Sequence, residues 1–349
     1  MRLPDTYIAG LGSFLPETVT VETAVRQGLY PAENVDLHEY AGCAVAGPVP
    51  APEMGLRGAQ EAVERSGLAP TEFDLLLYAC TWHQGPDGWL PHSYLQRYLV
   101  GGDVPGLEIR QGCNGMFAGL DVAASYLHAV PERGSALLVA ADNYGTPLLD
   151  RWRPGLGLAL GDAATAVVLT KRPGFAQVLS VGSTTIPEGE EMHRSGEPVF
   201  PPGATVGRTQ DFGARAEHYN AKRPAGSAAL KELPDRITKL AFQVLDEAGV
   251  GIDQVTRVGY VNHSREIVEQ RCMALLGLPL SKSVWEYGRT IGHCGASDQF
   301  LAFHHLLATG ELLPGDHMLL VGMAPGVVLS AAVIKVLEIP AWLNEGKAP

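Results

Sequence analysis

Residues 110–126 read RQGCNGMFAGLDVAASY: a cysteine, Cys113, set between Gly112 and Asn114-Gly115, where an extended segment gives way to a run of small helix-compatible residues. Two uses of a thiol fit such a place. Buried among apolar side chains, a cysteine is an inert packing residue. At a helix N-terminus, the unpaired backbone N–H groups and the helix dipole favour negative charge, and the thiol becomes a nucleophile. Gly112 and Gly115 permit a tight turn and a close approach of substrate to backbone, which favours the second use.

Outward from Cys113, short β-rich apolar runs alternate with longer amphipathic segments, the pattern of an α/β fold. Strands are expected at 7–11, 75–79, 136–140, 164–169, 258–261, 318–321 and 327–336, and helices at 52–66, 114–130, 231–248, 267–276 and 296–308. The order also repeats. TEFDLLLYACT leads into the Cys113 segment, then ERGSALLVAADN and LGDAATAVVLT; later, IDQVTRVGYVNH leads into GRTIGHCGASDQFLAFHHLLATG, then PGDHMLLVGMAPG and LSAAVIKV. Cys80 precedes Cys113 by about 33 residues and Asn262 precedes Cys294 by about 32, so the halves read as copies. The chain thus divides into an N-terminal half, 1–172, and a C-terminal half, 173–349, the latter opening with a Gly- and Pro-rich stretch, about 173–229, that reads as an irregular insertion. Packed about a pseudo-twofold axis, the turn bearing Cys113 would face the turn bearing His293, with a site between them.

Composition removes several alternatives. The 349 residues carry a formal charge of −12, and no basic run of five or more occurs, so nucleic acid is not an expected partner. No segment approaches the roughly 20 continuous apolar residues of a membrane span. MRLPDTYIAG lacks the basic and apolar blocks of a signal peptide, so the expected location is cytoplasmic. The five cysteines, at 43, 80, 113, 272 and 294, are odd in number, scattered and free of CxxC pairs, which argues against a disulfide framework or a zinc knuckle. His293 beside Cys294, and His304 beside His305, lack the ligand spacing of a closed metal site. No cofactor is expected.

Six segments taken in order, AGLGSFLPE, the Cys113 stretch, LGDAATAVVL, VNHSREI, IGHCGASD and GMAPGVVLSAAVIKV, resemble the ketoacyl-ACP synthase III proteins of the thiolase superfamily over nearly the whole chain. The resemblance implies a five-layer αβαβα thiolase fold built from two duplicated halves, a homodimer, and a nucleophilic cysteine supported by a histidine and an asparagine. Cys113 falls at the cysteine and His263 at the histidine. His293 stands where the family has its asparagine. The resemblance also implies an oxyanion hole from the backbone N–H groups of Cys113 and Gly326. It does not extend to carrier docking: LHEYAGCAVAG has no counterpart of the family's early tryptophan and arginine, and Val268 replaces the arginine five residues after the family histidine.

A histidine at the asparagine position changes the chemistry on offer. Decarboxylation of a malonyl thioester needs neutral donors to hold an enolate oxygen, whereas a histidine can accept a proton if a carboxylate fixes its tautomer and stabilises the imidazolium. Asp298, five residues after His293 in the first turn of an expected helix, is within reach of that role, or else is a helix-capping residue. Cys113, His293 and Asp298 then form a nucleophile, a base and an orienting acid, suited to deacylation by an incoming hydroxyl or amine. The set resembles the synthase III-like acyltransferases of secondary metabolism, which implies transfer of an acyl group from an acyl-carrier-protein or CoA thioester onto a hydroxyl acceptor such as a sugar or natural product. His263 either assists or packs. The aromatic loop at 82–94, with Trp82, His83, Trp89 and Leu90, is a candidate wall of the acceptor pocket, and Asn262 a further candidate substrate contact. Two other readings stand beside this one: a decarboxylative starter-condensing enzyme, and a non-catalytic partner subunit of a polyketide synthase, against which the cysteine argues.

Overall fold

The computed structural model describes residues 1–200, 208–223 and 225–343. Eleven strands occur among them: β1 (Tyr7–Phe14), β2 (Thr18–Thr20), β3 (Gly42–Ala44), β4 (Leu75–Ala79), β5 (Gly106–Ile109), β6 (Ser135–Asp142), β7 (Ala163–Thr170), β8 (Ala176–Thr185), β9 (Val255–Gly259), β10 (His317–Ala324) and β11 (Val328–Val336). The main helices are α1 (Ala51–Ser66), α2 (Gly115–His128), α3 (Phe212–Ala221), α4 (Leu233–Ala248) and α5 (Asp298–Ala308). Nine strands form one hydrogen-bonded sheet, in the order β5-β4-β6-β7-β1-β8-β11-β10-β9, while β2 and β3 pair separately.

The duplication is written into this order. From the junction where Tyr7 pairs with Gln177, each wing runs outward in the same pattern. β1 pairs antiparallel with β7, β7 with β6, and β6 parallel with β4. On the other side β8 pairs antiparallel with β11, β11 with β10, and β10 parallel with β9. The wings fold over a shared centre. Leu75, Leu77 and Ala79 of β4 join Met318 and Leu320 of β10 in one core with the inner faces of α2 and α5. The alternate residues face outward: Leu76 and Tyr78 toward α1, Leu319 and Val321 toward α4. The layers are therefore helix, sheet, helix pair, sheet, helix, which is the five-layer thiolase fold.

The outer helices show why the sequence folds this way. Both α1 and α4 are 16 residues long, carry proline in the first turn, and end on a left-handed glycine, Gly67 or Gly249. Helix α4 buries Ile237, Leu240, Ala241, Val244 and Leu245, the spacing of one helical face. Helix α1 lies so close to β1 that a Cβ at Gly12 would sit 2.2 Å from the carbonyl oxygen of Gly58, so only glycine fits there.

Three sequence expectations change. The stretch 173–229 is not irregular throughout, because its first part is β8, a central strand whose alternating burial was masked by exposed Ser and Thr positions. Strand β9 ends at Gly259, and residues 260–263 leave the sheet and turn into the site. Strand β5 was not expected: it has four residues, lies on an edge, and buries none of them fully.

Candidate active site

Cys113 lies on a single turn, Gly112–Asn114, between β5 and α2. Gly112 has φ +56°, and a Cβ there would meet the Pro325 ring at 2.8 Å. Asn114 is fully buried, and its Nδ2 donates to the Val328 carbonyl and to Ser330 Oγ, both at 3.0 Å, which fixes the turn against β11. Cys113 itself is half-buried, whereas the other four thiols are buried. Burial pushes the Cys43 thiol up to about 12 and raises Cys80, Cys272 and Cys294 well above the usual range. They are packing residues.

Cys113 Sγ lies 2.9 Å from His293 Nε2. The His293 backbone is clamped between neighbours, its N–H donating to the Ala159 carbonyl at 2.7 Å and its carbonyl accepting from Gly161 N–H at 3.0 Å. Its Nδ1 is 2.5 Å from Asp298 Oδ2. Asp298 has no exposed surface and does not cap its own helix. Its oxygens also accept from Asn262 N–H at 2.7 Å, Asn262 Nδ2 at 3.0 Å and Cys294 N–H at 2.7 Å. Burial alone would disfavour a charged His293, but the sulfur of Cys113 and the carboxylate of Asp298 outweigh it and hold the imidazole pKa well above the ordinary range. An imidazole thus sits between a thiol and a carboxylate, both of which favour its charged form.

His263 differs in kind. Its Nδ1 accepts from Ser264 N–H at 2.9 Å, which leaves the ring proton on Nε2. Burial first, and the His293 charge second, depress its pKa to about 3, so it is a neutral donor. The next residue back, Asn262, points away from the cavity. Its side chain serves Asp298 and the Gly292 carbonyl, making it a positioning residue rather than a substrate contact.

Cys113, His263 and His293 open into a cavity of about 340 Å³. Trp82 lines it, with Thr81 beside it, because Asp142 Oδ1 accepts both of their N–H groups at 2.8 Å. Burial raises Asp142 to about 7. His83, Trp89 and Leu90 are not among the lining residues, and Leu90 is exposed. Gly326 N–H does not face the sulfur; it is directed at His193 Nδ1 at 3.4 Å, and the wall beside Gly112 is made by Ala324 and Pro325. The other histidine pair lies elsewhere: His304 stacks on Trp342 and His305 on Tyr287.

Sequence reasoning missed Tyr144, His193, Phe212 and Arg215, all of which line the cavity. Tyr144 had a readable signal in the polar DNY that ends an apolar strand run. Its N–H is held at 2.7 Å by the buried Asp162, which also binds Arg151 with both oxygens at 2.9 and 3.0 Å. The other three come from the Gly- and Pro-rich stretch, where no periodicity marks them.

The family descriptions "3-Oxoacyl-[acyl-carrier-protein (ACP)] synthase III" and its "C terminal" counterpart match residues 107–186 and 245–336. The chain is 26% identical over 345 residues to a beta-ketoacyl-[acyl-carrier-protein] synthase III of Desulfitobacterium hafniense, covering 94% of this chain and 97% of that one. Among solved structures, ChlB3, described as an acyltransferase, is 56% identical with a TM-score of 0.94, over 97% of this chain and 100% of its own. The 3-oxoacyl-[acyl-carrier-protein] synthase III of Aquifex aeolicus, 21% identical with a TM-score of 0.75, covers 95% of this chain and 99% of its own and shares the fold.

Proposed function

We propose that this chain, which belongs to the ketoacyl-ACP synthase III-like family of the thiolase superfamily, moves an acyl group from an acyl-carrier-protein or CoA thioester through Cys113 onto a hydroxyl acceptor. The observation that carries this reading is the unbroken contact from Cys113 Sγ to His293 Nε2 to Asp298. In the first half-reaction Sγ attacks the thioester carbonyl while its proton passes to Nε2. Collapse of the tetrahedral intermediate breaks the carbon–sulfur bond to the carrier, whose departing thiolate takes that proton. In the second, the acceptor hydroxyl gives its proton to Nε2 as its oxygen attacks, and Cys113 leaves and is reprotonated. An alcohol is a far weaker acid than a thiol, and with Cys113 acylated it is the Asp298 carboxylate that favours proton acceptance by His293.

The oxyanion is held by Cys113 N–H, in the first turn where helical N–H groups lack intrahelical acceptors, and by His263 Nε2–H. The arrangement speaks against decarboxylative condensation, since His293 is engaged as a base rather than offered as a neutral donor. The active unit is proposed to be a homodimer, with the loop at 82–94 and its exposed Leu90 facing the second copy.

The test is to load the protein with a panel of acyl thioesters, follow the mass increment on Cys113, and offer hydroxyl compounds and, separately, thiols. Discharge onto a hydroxyl with no carbon dioxide from a malonyl donor supports the reading. Carbon dioxide release with a C–C product, or discharge only onto thiols, overturns it. No selective alkylation of Cys113 would point instead to an inert subunit.

A further inference from the structure

The chain is acidic overall, yet no Asp or Glu is found among the described residues that line the cavity, while Arg110 and Arg215 are. Arg110 is exposed. Arg215, in the first turns of α3, is half-buried, and its setting is unusual among its neighbours. In the same segment Arg194, Arg208, Lys222 and Arg223 each hold a glutamate. Arg215 makes no ion pair among the described residues. Its guanidinium donates from Nη1 to the His193 carbonyl at 2.9 Å, and its Nε is buried with no acceptor. An unpartnered buried donor on a cation costs free energy unless something supplies the acceptor.

Two more donors line the same cavity. Burial, and then the Arg215 charge, lower His193 to about 4, so it is neutral; its Nδ1 receives Gly326 N–H, leaving the proton on Nε2. Gln210 lines the same region. The walls around these donors are apolar: Leu149, Leu156, Leu158, Leu160 and Phe212. The donor group is also close to the nucleophile, since Gly112 abuts Pro325, Gly326 bonds His193, and His193 bonds Arg215.

We infer that Arg215, with His193, forms a specificity subsite for an oxygen substituent on a compact, otherwise apolar acyl group. This rests on the acyl-enzyme reading above. A straight-chain hydrocarbon offers the guanidinium nothing beyond the His193 carbonyl; a hydroxyl or carboxylate on the acyl group offers it a second acceptor. The shared chemistry is an acceptor oxygen, and the neutral and anionic cases separate experimentally.

The probes are three N-acetylcysteamine thioesters of one carbon skeleton: the unsubstituted parent, its hydroxy derivative and its carboxylate derivative. Loading of Cys113 is timed by intact-protein mass spectrometry before any acceptor is added. Wild type should load at least one oxygenated acyl group about tenfold or more faster than the parent, the scale of one charge-assisted hydrogen bond. Arg215→Gln should shrink that preference to within about twofold by slowing the favoured oxygenated probe, with Arg215→Lys keeping the preference if the oxygen is a carboxylate and losing it if it is a neutral hydroxyl. Equal loading of all three probes by wild type overturns the inference, whatever the variants do. So does an Arg215→Gln variant that slows all three alike, or a preference seen only once an acceptor is present, which would assign the subsite to the acceptor. Loading with no preference leaves the acyl-enzyme standing and removes the subsite; absence of any loading removes both.

Discussion

The turn at Gly112–Asn114 and the turn at Gly295–Ser297 are one structure built twice, and they carry different side chains. Each opens on a left-handed glycine, at φ +56° and +61°, and each launches a central helix. Each is fastened to the opposite wing: Asn114 to Ser330 Oγ of β11, and Ser297 to Thr165 Oγ1 of β7 at 3.3 Å. The turns meet where a Cβ on Gly115 would lie 3.4 Å from that of Ala296. By position Cys113 corresponds to Ala296 and Gly115 to Asp298. The duplicated backbone supplies placement alone; the side chains differ, one turn presenting a thiol to a cavity and the other leading into a carboxylate buried behind an imidazole.

The sharpest way to break this comparison is to move the sulfur. Cys113→Ala should lower the rate of thioester loading by at least about 10⁴-fold, the scale seen when a nucleophile is removed from a triad. Adding Ala296→Cys should restore nothing, since Ala296 has no exposed surface and does not line the cavity. Mass spectrometry of the protein after exposure to an acyl thioester reads both outcomes. Loading at position 296 would mean that the turns are interchangeable and that burial does not separate them.

The base side should respond next most strongly. Asp298→Asn keeps the shape of the side chain but removes the charge, and His293→Asn removes the base. A loss of about 10²–10⁴-fold in acyl transfer is expected for either, following what the orienting acid contributes in comparable triads. If His293→Asn instead keeps full transfer, the base assignment is wrong; if it gains carbon dioxide release from a malonyl thioester, position 293 is what separates transfer from condensation.

How much of this was legible in the sequence follows from the same comparison. The repeat of strand and helix segments pointed to the duplicated fold, because hydrophobic periodicity is a local property of each half; the spacing from Asn262 to Cys294 fell two residues short, since the turns match Cys113 with Ala296. Cys113, His293 and Asp298 could be named because two of them lie five residues apart and the third sits on the paired turn. Arg215 and His193 could not, since only the tertiary path of the Gly- and Pro-rich stretch brings them to the cavity. Gly326 and Asn262 failed for a related reason: each is near the site in sequence, but its hydrogen bonds run to a supporting residue, His193 in one case and Asp298 in the other.

The two glycines sharpen the comparison in stability. An alanine at either position must adopt a left-handed backbone, costing about 1–2 kcal/mol. At 112 its Cβ meets the edge of the Pro325 ring at 2.8 Å. At 295 it meets three polar atoms at once, Asp142 Oδ2 at 2.3 Å, Tyr144 Oη at 2.7 Å and Thr81 Oγ1 at 2.9 Å. Gly295→Ala should therefore destabilise more than Gly112→Ala in denaturant titrations. Equal losses would show that the buried polar cluster above Gly295 yields as readily as a proline ring.

A last comparison separates the two histidines by pH. His263, with its folded pKa depressed to about 3, is neutral in the native state, while in the unfolded chain it titrates near the ordinary histidine value, about 6.5. Between those values the unfolded state binds the extra proton, so stability is full above about 6.5 and falls as the pH drops toward 3, by on the order of 1 kcal/mol per pH unit. His293 runs the other way. Its raised folded pKa gives stability that is present below about 6.5 and fades as the pH climbs through the raised value. His263→Gln should thus flatten the acid limb of a stability–pH curve and leave the alkaline limb as it was. A variant that changed the alkaline limb instead would mean that His263, and not His293, is the histidine that carries the proton.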